Sequence, residues 1–211
     1  MKRDLKAAYA LIGLAVLLVV GMLVWTLVIN NRAAETPQPS AMPKDEGAEV
    51  NMVQVTAPTE EEIAAAKSAG TIPVTVETAQ GTIELELRGD LMPLTVANFV
   101  KLAKAGFYDG LVFHRVEDWV IQGGDPQGTG YGGPGYAIKL ETHKDLPNVR
   151  GAVAMARSAN PDSAGSQFYI LRTDAPHLDG AYAVFGNVVS GMDVVDKIKS
   201  RDAIKKVTVG E

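Results

Sequence analysis

Cysteine is absent from the 211-residue sequence, which excludes disulfides, thiolate metal sites, cysteine nucleophiles and a lipidated N-terminal Cys. The only histidines are His114, His143 and His177, and they show no metal-ligand spacing among themselves, so neither zinc nor iron is expected. Positive charge is not in excess: net charge is −5 and the estimated pI about 5.3. A nucleic-acid-binding domain carries a basic patch, so no nucleic-acid partner is expected. No internal repeat is visible, which argues against a solenoid or propeller. Long uncharged apolar runs are missing too, with one exception at the N-terminus.

That exception is Ala7 to Ile29, 23 residues without a charge. A helix of this length rises far enough to span a hydrocarbon core of about 30 Å with some tilt. Lys2, Arg3 and Lys6 precede it, and Trp25 sits near its far end, where an indole suits the interface. The alternative is a cleaved secretory signal. The run is too long for that, and the first candidate cleavage sites place Asn31 or Arg32 where a small residue is needed. The expectation is an uncleaved single-pass anchor at 7–29. Three basic residues before the span, against Arg32 and Lys44 after it, put residues 1–6 in the cytoplasm and the rest outside.

Residues 30–71 read as a polar linker, rich in Ala, Pro, Glu, Asn and Gln. A short helix is expected near 59–69: Thr59 caps it, Glu62 completes a capping box and Gly70 stops it. From residue 72 the pattern changes. Val74–Glu77 and Thr82–Leu87 alternate apolar and polar residues across Ala79-Gln80-Gly81, a hairpin of half-buried strands. Pro93 to Ala105 reads as a helix, with Pro in the first turn and Val96, Phe99, Val100 and Ala103 on one face. Short strands are expected at Leu111–His114, Trp119–Gln122, Gly151–Met155, Gln167–Leu171 and Ala183–Val188. A helix at Met192–Lys199 and a strand at Ala203–Val209 follow. So many short strands predict a mainly β domain over 72–211, closed so that no sheet edge is exposed.

Five motifs occur in order within that domain. They are Phe113-His114-Arg115, Gln122-Gly123-Gly124-Asp125, Gly165-Ser166-Gln167-Phe168, Leu178-Asp179-Gly180 and Val184-Phe185-Gly186. Together they resemble the cyclophilin signature in a version common among bacteria, and the resemblance covers essentially all of 72–211. It implies a closed eight-stranded antiparallel barrel capped by two helices. It also implies cis/trans isomerisation of Xaa-Pro bonds in polypeptide substrates, with no cofactor and a monomeric catalytic domain.

The chemistry suits these residue types. A peptide C–N bond resists rotation by about 18–20 kcal/mol, because the nitrogen lone pair is delocalised into the carbonyl. No bond is broken, so no nucleophile is required. A fixed cation donating toward the twisted amide nitrogen lowers the barrier, and guanidinium is always charged and rigid. By resemblance Arg115 is that catalytic cation and Gln122 holds the substrate carbonyl. Gln167 and Arg157 hold backbone nearby. Trp119, Val120, Tyr169 and Leu178 form the proline slot, with Tyr182 on its rim. Plainer readings stand beside these: Arg115 in a surface salt bridge with Glu117 or Asp118, the glutamines as structural groups, the apolar residues as core. Phe113 and Phe168 are assigned to the core, and His114 is read as a packed core histidine.

Three departures from the family pattern are present. Six residues lie between Arg115 and Gln122, one fewer than usual, which shortens the turn at Glu117-Asp118. Position 119 is Trp where Phe is usual. His177 stands where many eukaryotic members carry the Trp that packs on cyclosporin, and it is placed among the substrate-binding residues. Gly128 to Gly133 formally matches G-x-G-x-x-G, yet Pro134-Gly135 follows where a dinucleotide site needs a helix, so the glycines are read as a loop beside the site. Ser166 lacks the G-x-S-x-G elbow of a serine hydrolase. Two functions remain: an isomerase assisting the folding of exported or membrane-associated proteins, or a non-catalytic module that binds Pro-containing segments or scaffolds a membrane assembly.

Overall fold

Thr59 opens the first helix, α1 (Glu60–Ala69), through a complete capping box: its hydroxyl accepts from the Glu62 N–H, and the Glu62 carboxylate accepts from the Thr59 N–H. Gly70, at φ 71°, ends the helix. This is a computed structural model, which describes residues 54–210. The expected span at 7–29 lies outside the described residues; among them no helix is long and apolar enough to cross a membrane.

Strands β1 (Thr71–Thr78) and β2 (Gly81–Arg88) form the expected hairpin, with Val74 opposite Leu85 and Val76 opposite Ile83. Their alternation buries Ile72, Val74, Val76, Ile83, Leu85 and Leu87 on one face. Helix α2 (Pro93–Lys104) follows. Its N-cap residue, Met92, offers no side-chain bond. The first-turn amides of Leu94 and Thr95 donate instead to the Glu141 carboxylate, at 3.1 and 2.7 Å. That satisfies donors which any helix start leaves open. Val96, Phe99, Leu102 and Ala103 face the core. On the other side α1 packs on α2 through Ala66 and Ile63, and Lys101 reaches back to Glu62 and to the Ala57 carbonyl.

The remaining strands are β3 (Arg115–Glu117), β4 (Val120–Gly123), β5 (Ala152–Met155), β6 (Phe168–Leu171), β7 (Val184–Ser190) and β8 (Ile204–Val209). A short helix, α3 (Met192–Lys197), precedes β8. It is two residues shorter than expected, because the backbone at Ile198 turns extended. All pairings are antiparallel, in the order β3-β4-β6-β5-β7-β2-β1-β8.

Two expectations are corrected here. Among the described residues β3 and β8, the ends of the sheet, do not pair with each other, so strand pairing gives a curled open sheet of eight strands rather than the expected closed barrel. Leu111–His114 is also not a strand, and β3 begins at Arg115. The two corrections share a cause. Residues 110–113 exchange backbone bonds with residues 201–204, at and just before the start of β8: Phe113 donates to the Asp202 carbonyl, Arg201 donates to that of Phe113, and Gly110 and Leu111 both bond Ile204. Leu111 and Phe113 are buried as their apolar pattern demands, yet only the Val112–Ala203 bridge forms there.

Inside the sheet the core is aromatic. Phe99 stacks on Tyr108 and meets Phe168 edge-on, while Phe113 meets Phe168 from another side. The assignment of Phe113 and Phe168 to the core agrees with this packing.

Candidate active site

The shortened turn makes β3 and β4 a tight hairpin with only Asp118 and Trp119 in the loop. Neither has positive φ, so the loop is not of the primed type that most two-residue hairpins use. Arg172 holds it in place by donating to the Glu117 carbonyl, and its N–H donates to that of Trp119. The register puts Arg115 directly opposite Gln122 and Glu117 opposite Val120. Side chains alternate along a strand, so these four share one face, while Val116 and Ile121 take the other.

From Arg115 a chain of hydrogen bonds crosses the sheet. Its Nη1 donates to Gln122 Oε1 at 3.2 Å, and Gln122 Nε2 donates to Gln167 Oε1 at 2.9 Å. Gln167 Nε2 then donates to the carbonyls of Gly130 and Gly132, each at 2.9 Å. Every amide accepts toward the guanidinium and donates away from it, so the bonds polarise one another in one direction. The far end is held by the loop after Gly124. Asp125, 1% exposed, accepts from the amides of Gln127, Thr129 and Gly130. Burial raises its pKa, but those backbone donors outweigh burial and hold the carboxyl below the usual range. Gly124 has φ +83° and lies so close to the Ser166 carbonyl that a Cβ would collide with it, which explains the glycine there.

The chain of bonds borders a cleft of about 430 Å³. Arg115, Trp119, Val120, Gln122, Arg157, Tyr169, Leu178 and Tyr182 line it, eight of the ten residues expected at the site. The Tyr169 hydroxyl donates to Asn148 Oδ1 and the ring meets Tyr182 edge-on. Burial pushes the phenol well above its ordinary pKa, so it remains a neutral wall. The Arg157 guanidinium lies 4.5 Å from the centre of the Tyr182 ring and donates to the carbonyls of Ala181 and Ser158. Gln167 lines an adjoining hollow with the glycine loop, as the loop reading of Gly128–Gly133 expects.

His177 does not line the cleft. Its ring stands 6.4 Å from that of Trp119, tilted by 56°. His114 is corrected in the opposite sense, from packed core to cleft lining. Both its ring nitrogens are shielded from solvent and have no hydrogen-bond partner among the described residues, since the nearby Gln167 amide donates to the glycine carbonyls instead. Burial lowers its pKa more than the Asp125 charge restores it. Thr129 and Gly130, from the glycine loop expected beside the site, and Ala156, which was not expected there, complete the lining. For His114 the signal was its place beside Arg115; for Ala156 nothing in the local pattern marks it.

The salt bridge of the plainer reading is also present. Arg115 Nε donates to Glu117 Oε1 at 2.7 Å, and Trp119 Nε1 donates to Glu117 Oε2 at the same distance. The Arg115 and Trp119 bonds keep the Glu117 carboxyl below the usual carboxylate range. Arg115 is thus both paired and at the cleft.

An apolar slot, a guanidinium at its mouth and amides aimed along one line suit a catalyst that binds and polarises a peptide group. The family follows from comparison. Residues 73–210 match the model of the cyclophilin type peptidyl-prolyl cis-trans isomerases, and the chain belongs to that family. It is 49% identical over 150 residues to a peptidyl-prolyl cis-trans isomerase of Helicobacter pylori, covering 69% of this chain and 91% of the relative. It is 51% identical over 130 residues to peptidyl-prolyl cis-trans isomerase B of Bacillus subtilis, covering 60% and 90%. A Cryptosporidium parvum cyclophilin type isomerase, solved in the presence of the dipeptide Ala-Pro, superposes with a TM-score of 0.62 at 31% identity, covering 66% of this chain and 99% of that one.

Proposed function

We propose that this chain is a membrane-anchored cyclophilin of bacterial type, whose monomeric domain isomerises Xaa-Pro bonds in exported or membrane-associated polypeptides and assists their folding. The observation that carries the catalytic part is the chain Arg115–Gln122–Gln167 beside an apolar slot. The proline ring enters between Val120, Tyr169 and Leu178, with Trp119 and Tyr182 at the sides. Gln122 and Arg157 hold the substrate backbone, and Arg115 donates toward the amide nitrogen as the bond twists and the lone pair returns. Uncatalysed isomerisation takes tens to hundreds of seconds, so a catalyst is readily measured. The full chain in detergent should accelerate exchange of an Ala-Pro-Phe-type peptide. Binding of that peptide without acceleration would favour the non-catalytic module.

The anchored part rests on the sequence: 23 uncharged residues at 7–29, basic residues before them, and the polar segment between the span and α1 as the tether to a domain outside the cytoplasm. The relatives of Helicobacter pylori and Bacillus subtilis support the bacterial type. Protease added to intact spheroplasts should digest the domain and leave the residues up to the span. Full protection, or a mature chain beginning near Ala33, would overturn this topology.

A further inference from the structure

We infer that Glu117 is a positioning residue for the proposed reaction, clamping the Arg115 guanidinium and the Trp119 indole into one arrangement at the mouth of the cleft. One carboxylate oxygen accepts from Arg115 Nε and the other from Trp119 Nε1, both at 2.7 Å. The guanidinium carbon lies 5.2 Å from the centre of the Trp119 ring, so the three side chains form a closed group. With Nε held by Glu117 and Nη1 held by Gln122, the fork cannot swing. Nη2 donates to no group among the described residues. Both of its N–H groups are left for a substrate.

Stability does not account for this clamp. The Arg115 and Glu117 side chains are 42% and 45% exposed, and ion pairs that exposed contribute little to folding. The shortened hairpin explains how it forms. Arg115 and Glu117 are two apart on one strand and so share a face, and the two-residue loop brings Trp119 back toward the same carboxylate. Without Glu117, one 3.2 Å bond and the stacked indole would hold a long, half-exposed side chain. A cation that wanders by about 1 Å forfeits much of its effect on a transition state.

This inference rests on the isomerase reading, and a double-mutant cycle in the full chain separates the two. Glu117→Ala should lower kcat about tenfold with KM changed much less, since the bond it supports acts mainly in the transition state. In an Arg115→Ala background the same change should cause no further loss, because Glu117 works through Arg115. Glu117→Gln keeps one carbonyl acceptor and should recover part of the loss; it also carries the cycle should Glu117→Ala fail to fold. The only other tryptophan is Trp25, so in a Trp25→Phe background the indole emission of Trp119 should shift on Glu117→Ala. Unchanged emission, unchanged or raised kcat, or an equal loss in both backgrounds would overturn the clamp. An Arg115→Ala chain with parental kcat would instead overturn the isomerase reading of Arg115.

Discussion

Arg115→Ala is expected to fold as the parent does, to bind Pro-containing peptides, and to lose about 10²–10³ in isomerisation rate. The loss corresponds to about 3–4 kcal/mol of transition-state stabilisation. The ground-state amide nitrogen is planar and a poor acceptor, because its lone pair is shared with the carbonyl. Only the twisted amide recovers the lone pair, so a donor aimed at that nitrogen acts late and affects kcat more than KM. Arg115→Lys should rescue little: an ammonium keeps the charge but cannot meet Glu117 and Gln122 at once with a rigid fork. The rival view, that Arg115 is only the surface partner of Glu117, predicts the loss of an exposed ion pair, roughly 0–1 kcal/mol of stability and no kinetic effect. Circular dichroism beside the peptide exchange rate separates them. A folded Arg115→Ala chain with parental turnover would sink the mechanism.

Where local pattern decided the structure, the sequence was readable. The β1–β2 hairpin follows from strict alternation, α1 from Thr59 and Glu62 three residues apart, and the start of α2 from Pro93. What local pattern could not show was which distant segment would complete a hydrogen bond. Glu141, 47 residues from Leu94, caps α2, and nothing around Met92 announces it. Leu111 and Phe113 alternate like a strand, yet their backbone partners are residues 201–204, of which only Ile204 lies in β8, so the strand begins later. The site was legible for a different reason. The motifs that carry Arg115, Gln122 and Gln167 lie on β3, on β4 and just before β6, strands adjacent in the sheet, which brings the three side chains together. His177 and Leu178 share a short turn of helix outside the sheet, where strand register does not fix direction, and of the two only Leu178 reaches the cleft. With the shortened turn, Trp119 and Val120 both line the cleft, because the two-residue loop leaves Arg115 opposite Gln122.

Asp125→Asn tests the other end of the hydrogen-bond chain and should cost about 3 kcal/mol of stability at neutral pH. The carboxylate is 1% exposed and accepts from Gln127 and Thr129 at 2.8 Å and from Gly130. Bonds to a charged acceptor contribute about 1.5–3 kcal/mol each, and an unpaired buried donor costs a similar amount. Asparagine offers a single acceptor oxygen and turns N–H groups toward backbone donors, so at least one bond becomes a repulsion. For a domain of this size the melting temperature should fall by roughly 6–12 °C. The dependence on pH has a definite sign. The folded pKa of Asp125 lies below its unfolded value, so its stabilisation is present above the ordinary carboxylate range and is lost as acid protonates the group. Asp125→Asn should therefore be less stable at neutral pH and lose less of its remaining stability on acidification. Activity should fall as well, because the same loop presents the Gly130 and Gly132 carbonyls that orient Gln167, and through it Gln122. Thermal melts taken from neutral pH into acid, with turnover measured on the same samples, test both ends. Parental melting at neutral pH, or an unchanged acid limb, would show that the loop holds its shape without the charge.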